Sequence, residues 1–171
     1  MTKIALYGRS GSGKSLISRL LVDQYGFERY SSGELCRELS RALFGNEDRA
    51  NLNLLSEKVR EIDPHLWIAA ALRRATGDRI VFESVRYPED LDYLQPAGFA
   101  IWLVDCPETL CQQRLHQRGQ KFSAADLSHT MEEALGNDFP FDARIDNGDR
   151  ALEEVVADIG RALGEPIWPN V

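Results

Sequence analysis

The chain has 171 residues, 43% hydrophobic and 27% charged, and its 27 acidic against 20 basic side chains give a formal charge of -7. Those figures describe one compact soluble domain with enough chain to bury its own core, and they exclude collagen-like, disordered and small disulfide-rich classes. The longest apolar runs, such as Trp67–Leu72, fall far short of the roughly 20 residues that span a bilayer, so no membrane partner is expected.

Ile4–Tyr7 is a short apolar run that stops at glycine, as a buried strand of a parallel sheet does. From Ser15 onward Leu16, Ile17, Leu20 and Leu21 recur at helical spacing, and Gly26 marks the end. Phe27–Tyr30 reads as a second short strand, Gly33–Phe44 as a helix closed by Gly45, and Asn51–Ile62 as another helix. Asp63-Pro64 has the capping residue and first-turn proline of a helix running to about Thr76. Strand Ile80–Phe82, helix Pro88–Leu94, a turn at Gly98, strand Ile101–Val104 and a helix from Pro107 to about Arg118 follow. Residues 119–137 are polar and weakly periodic; Ala143–Asp146 reads as an edge strand and Ala151–Leu163 as a terminal helix. Strands alternating with helices predict an α/β fold, a parallel sheet of about five strands with helices on both faces. No repeat or linker marks a second domain.

The chain enters its first strand pattern at once, which leaves no room for a signal peptide, and a cytoplasmic protein is expected. Cys36, Cys106 and Cys111 are odd in number and lack paired metal-ligand spacing, so they read as reduced core thiols. His65, His116 and His129 are scattered and form no metal or general-base constellation. The acidic balance disfavours polymeric nucleic acid as a partner. Yet the 20 basic residues divide into 16 Arg and 4 Lys, and arginine is the side chain that forks onto phosphate oxygens.

Gly8-Arg9-Ser10-Gly11-Ser12-Gly13-Lys14-Ser15 fits G-x-x-x-x-G-K-[ST] in full, between a strand and a helix. Glycines let consecutive backbone N–H groups turn inward around a polyphosphate, and the helix N-terminus adds partial positive charge at the same point. Lys14 is expected to reach the β- and γ-phosphates of ATP, and the Ser15 hydroxyl to ligate Mg²⁺. A GTPase needs an N-K-x-D segment, and the nearest string, Asp146-Asn147-Gly148-Asp149, lacks the lysine.

Other segments carry a likeness to a family. Ser31-Ser32-Gly33-Glu34-Leu35-Cys36-Arg37 is similar to the S-[ST]-G-[DE]-x-x-R stretch of adenylate-kinase-like enzymes. Glu83-Ser84-Val85-Arg86-Tyr87-Pro88 and Arg60-Glu61-Ile62-Asp63-Pro64-His65-Leu66-Trp67 resemble stretches of phage-type deoxynucleoside monophosphate kinases. Asp105-Cys106-Pro107-Glu108 with Arg114 and Arg118 resembles the strand and helix that lead to a lid, and Ala143–Asp149 the last region beside an adenine pocket. The chain thus resembles the P-loop nucleoside monophosphate kinase family over nearly its whole length.

The resemblance implies a P-loop kinase fold and one kinase domain, with an acceptor-binding helical region at about 32–76 and a short lid at about 119–137. It implies that Ser32, Gly33, Arg37, Arg60 and Arg86 bind the acceptor, and that Arg114 and Arg118 join Lys14 and Arg86 on the phosphoryl group in flight. Glu83, in place of the usual aspartate, would support the metal through water. Lys121 is a candidate closing cation. Spacing alone leaves other readings open: Arg37 and Arg60 also suit a solvated helix face, Arg114 and Arg118 an ordinary amphipathic helix, and Trp67 packing.

The expected partners are ATP and a small nucleotide acceptor, with Mg²⁺ accompanying the donor. A monomer and a homodimer are equally compatible with the sequence. Two other activities stay open: a dephospho-CoA kinase or other small-metabolite kinase, and an ATP-gated regulatory protein.

Overall fold

A computed structural model describes residues 2–85, 87–117 and 139–165. Five strands form one sheet: β1 (Thr2–Tyr7), β2 (Glu28–Tyr30), β3 (Arg79–Phe82), β4 (Ala100–Asp105) and β5 (Ala143–Asp146). Every pairing is parallel, and the order is β2-β3-β1-β4-β5. The expected edge strand at 143–146 is β5, paired with β4 through Trp102–Ala143 to Asp105–Asp146.

Seven helices are described: α1 (Lys14–Tyr25), α2 (Ser32–Phe44), α3 (Arg49–Ile62), α4 (Leu66–Leu72), α5 (Pro88–Leu94), α6 (Glu108–Gln117) and α7 (Leu152–Leu163). Strand alternation divides them between the two faces of the sheet. Ile4, Leu6, Val81, Trp102, Val104 and Ile145 point to a core completed by Ile17 and Leu21 of α1 and Val155 and Ile159 of α7. The alternate residues Ala5, Tyr7, Ile80, Phe82, Ile101 and Leu103 meet Ile68 of α4 and Leu91 and Leu94 of α5. Such runs are apolar on both faces, as a sheet covered on both sides requires.

Helices α2, α3 and α4 carry a third, smaller cluster of Cys36, Leu55 and Trp67. Trp67 is buried there with its indole N–H donated to the Ser56 carbonyl at 3.3 Å, so packing is its role. Helix α4 is shorter than the predicted span of 64–76. Asp63 ends α3 rather than starting α4, although its carboxylate does accept the His65 N–H at 2.8 Å. At the other end the Arg74 and Ala75 amides bond to Ala71 and Leu72, a tight turn that stops the helix. Glu28 on β2 then takes the Thr76 N–H and hydroxyl at 3.3 and 3.2 Å and draws the chain back toward the sheet. The Tyr30 hydroxyl, donated to Glu28, and the Thr76 amide hold the Glu28 carboxyl below its ordinary pKa.

No helix among the described residues is long and apolar enough to cross a membrane. The expected lid at 119–137, with Lys121, lies outside the described residues, as do Arg86 and Arg118.

Candidate active site

The loop from Gly8 to Gly13 joins the carboxyl end of central strand β1 to α1, at the point where β3 lies on one side of β1 and β4 on the other. Open parallel sheets place ligands at this kind of switch point. Gly8, Gly11 and Gly13 all have positive φ, at 150°, 86° and 98°. Their lack of side chains is also a packing requirement. A Cβ on Gly8 would lie 2.5 Å from the Val104 carbonyl oxygen, one on Gly11 2.6 Å from that of Cys111, and one on Gly13 1.9 Å from the Asn147 amide nitrogen. The motif glycines therefore let the loop press against β4, α6 and the turn after β5, with the Ser12 N–H donated to the Arg9 carbonyl at 3.1 Å.

Helix α1 starts at Lys14 and carries no acidic residue in its first turn, so its N-terminal partial charge is uncompensated from within the helix. Lys14 Nζ folds back on the loop, donating to the carbonyls of Gly8 at 2.5 Å and Arg9 at 2.9 Å. Arg9 forms an ion pair with Glu108 at 2.7 Å, which links the loop to the first turn of α6. Ser10 is exposed, whereas the Ser12 side chain is buried at 1% exposure, with no hydrogen-bond partner for its hydroxyl among the described residues. A buried hydroxyl without a partner is costly in a finished core, and a phosphate oxygen in the cradle would satisfy it.

The Ser15 side chain is exposed at the mouth of the loop. One turn along α1, the fully buried Ser18 donates its hydroxyl to Glu83 at the end of β3. The second Glu83 oxygen pairs with Arg29 at 3.2 Å, and Arg29 also pairs with Glu34 on α2. Glu83 is thus fixed beside the phosphate loop rather than loose at its rim. Among the described residues no three His, Cys, Asp or Glu side chains are grouped to hold a metal. A divalent cation here would draw its ligands from a hydroxyl such as that of Ser15, from water and from phosphate oxygens, the set that Mg²⁺ favours.

The segment expected to bind the acceptor starts next to this site. The Ser31 hydroxyl is 2.7 Å from that of Ser84, so the entry to α2, with Ser32 and Gly33 in its first turn, is tied to the end of β3. Arg37 is exposed one turn further along, its guanidinium passing 3.7 Å from where a Gly33 Cβ would lie. Arg60 is further off. It lies over the Tyr87 ring at 3.7 Å, pairs with the buried Asp90 at 3.6 Å and donates to the Pro64 carbonyl at 3.3 Å. With Asn53, Ser56, Glu57 and Glu61 it lines a shallow groove of about 560 Å³.

Arg114 is half-buried and turned into the protein. Its guanidinium donates to the carbonyls of Asn147 at 2.9 Å and Gly148 at 3.1 Å and to the Cys106 sulfur at 3.3 Å. It still lies close to the loop, with one nitrogen 3.9 Å from the Gly13 Cβ position. The sequence reading missed Asn147, whose side-chain amide donates to the Ser12 carbonyl at 2.6 Å. The available signal was a polar residue directly after strand Ala143–Asp146, at the ligand-binding edge of the sheet. The three cysteines are free and buried, as expected.

A family model described as an AAA domain matches residues 7–131. A cytidylate kinase from Natronomonas pharaonis is 28% identical over 166 residues, covering 92% of this chain and 81% of that protein. A gluconokinase from Sinorhizobium meliloti superposes with a TM-score of 0.62 at 21% identity, over 95% of this chain and 91% of the other. A deoxyadenosine kinase from M. mycoides, solved with bound dATP, gives 0.57 at 14% identity over 96% and 100%. The chain belongs to this AAA-domain family. The five-stranded parallel sheet and its helices are the P-loop kinase fold.

Proposed function

We propose that the protein is an ATP-dependent nucleotide kinase that transfers the γ-phosphoryl group of ATP to the phosphate of a nucleoside or deoxynucleoside monophosphate. The observation that carries the reading is the placement of a complete Gly8–Ser15 cradle beside the start of α2, the segment we read as binding the acceptor phosphate. Gly8–Ser15 closes on β1, and the Ser31–Ser84 contact holds the start of α2 at the neighbouring strand end. The cytidylate kinase relative supports a nucleoside monophosphate as acceptor.

In this reading Gly8 to Ser15 bind the donor, and Ser32, Gly33, Arg37, Arg60 and Arg86 bind the acceptor. Lys14, Arg86, Arg114 and Arg118 spread positive charge over the transferring group. Ser15, and Glu83 through water, would hold the Mg²⁺ that accompanies ATP, and that ion would neutralise phosphate charge. The bond between the γ-phosphorus and the β–γ bridging oxygen breaks while one forms to an acceptor phosphate oxygen, giving ADP and a nucleoside diphosphate. The acceptor phosphate is largely ionised near neutral pH, its second pKa being about 6, so the protein's task is orientation and charge neutralisation rather than base catalysis.

The proposed domain plan is one kinase domain with a helical acceptor region at about 32–76. A panel of ribo- and deoxyribonucleoside monophosphates plus dephospho-CoA, each with ATP and Mg²⁺ and resolved by chromatography, tests the assignment. Diphosphate products are expected. Phosphorylation of dephospho-CoA alone would replace the reading with that of a kinase acting on a hydroxyl acceptor.

A further inference from the structure

We propose that Asn147 is a positioning residue for ATP, acting through the peptide between Ser12 and Gly13. Its side chain is buried at 4% exposure, and its amide group donates to the Ser12 carbonyl at 2.6 Å across 135 positions of sequence. The Asn147 backbone is itself held from two directions. Its N–H donates to the Asp105 carbonyl at 2.8 Å, and its carbonyl accepts from Arg114 at 2.9 Å. Arg114 also takes the Gly148 carbonyl, and the Gly148 N–H is donated to Asp146 at 2.9 Å. The donor aimed at Ser12 therefore sits on a turn braced by β4, α6 and its own strand.

The consequence follows from peptide planarity. In a trans peptide the carbonyl and the next N–H point in opposite directions. Holding the Ser12 carbonyl toward Asn147 turns the Gly13 N–H to the opposite side, away from β5, and fixes the pitch at which the loop enters α1. Gly13 has φ 98°, a region from which a glycine peptide readily swings back, so an external hold on this plane matters more here than in a helix. Asn147 also occupies the space a Gly13 side chain would need, which makes Gly13 and Asn147 a matched pair. The chemistry required of position 147 is a hydrogen-bond donor of this length, and a carboxylate of the same shape would present an acceptor to an acceptor.

This inference rests on the reading of Gly8–Ser15 as the ATP site and not on the identity of the acceptor. The test is MgATP affinity by titration calorimetry for the wild type, Asn147→Ala and Asn147→Asp, with steady-state KM for ATP and acceptor and a thermal melt of each protein. Loss of one buried bond predicts a Kd for MgATP about tenfold weaker in Asn147→Ala. Asn147→Asp, nearly identical in shape, is expected to be weaker still than the alanine variant. The KM for ATP should rise in both while the acceptor KM stays within about twofold. Wild-type affinity in Asn147→Asp would overturn the proposal, as would equal rises in the two KM values. Should Asn147→Asp fail to fold, Asn147→Ala decides alone, and a change of less than about threefold in Kd overturns it. A wild type that binds no MgATP would instead sink the functional reading itself.

Discussion

Ser18 on α1 and Glu83 at the end of β3 are joined by a hydrogen bond that ties the helix of the phosphate loop to the neighbouring strand. Arg29 holds the other Glu83 oxygen at 3.2 Å. The carboxylate, 11% exposed, is therefore set in place before any ligand arrives. On the proposed reading, in which Glu83 supports Mg²⁺ through water, Glu83→Ala is expected to raise the Mg²⁺ concentration for half-maximal activity about tenfold, the scale of an outer-shell contact to a metal. A Mg²⁺ titration of activity reads it. An unchanged titration with a lowered melting temperature would reduce Glu83 to a brace between α1 and β2.

Lys14 donates to Gly8 and Arg9, so its ammonium is poised over the loop it must serve. On the proposed reading the charge is needed most as the γ-phosphoryl group moves. Lys14→Ala should lower kcat at least about a hundredfold, as loss of an electrostatic contact to a transition state does. Circular dichroism should show an unchanged fold. A kcat within tenfold of wild type would remove Lys14 from the transition state.

On the proposed reading Arg37 serves the acceptor and not the donor. No acid among the described residues forms an ion pair with it, unlike Arg29, Arg41 and Arg74. Arg37→Ala should raise the KM of the monophosphate acceptor by at least about tenfold, since charged hydrogen bonds contribute about 1.5–3 kcal/mol, and leave that of ATP within about twofold. The opposite pattern would move Arg37 to the donor side.

The folded state keeps the Cys111 thiol neutral. Burial, followed by the neighbouring Cys106, pushes its pKa up from 9.0 to about 12. Above pH 9 the unfolded chain loses this proton while the native protein keeps it, so the unfolded state binds fewer protons and stability falls as pH rises. The contribution is complete below about pH 9 and is lost as pH climbs toward 12. Urea midpoints at pH 8 and 10.5 should drop further in the wild type than in Cys111→Ala. Equal drops would show that Cys111 ionises alike in both states.

The fold was legible where local chemistry and tertiary demand agree. Ile4–Tyr7, Ile80–Phe82 and Ile101–Val104 are apolar on both faces, and Gly26, Gly45 and Gly98 stand at positive φ where helices or turns end. Helix α4 starts later than the sequence suggests because Asp63 ends α3, and it stops before Thr76 because Glu28, far away in sequence, captures that residue. The same logic divides the site. The phosphate loop announces itself because only glycine fits three contacts with backbone or amide groups. Asn147 stayed hidden because its partner is a main-chain carbonyl that no spacing rule connects to it. Helical spacing puts Arg114 and Arg118 on one helix face, yet gives no sign of the Arg114 main-chain acceptors at residues 147 and 148.

Everything proposed for this site turns on a new phosphorus–oxygen bond to the acceptor. Phosphorus NMR of the protein with ATP, Mg²⁺ and cytidine monophosphate follows the transferred group directly. A new pair of mutually coupled signals from a nucleoside diphosphate is expected, appearing with ADP in equal amount and absent in Lys14→Ala. Inorganic phosphate alone, across the full panel of monophosphates, would contradict it.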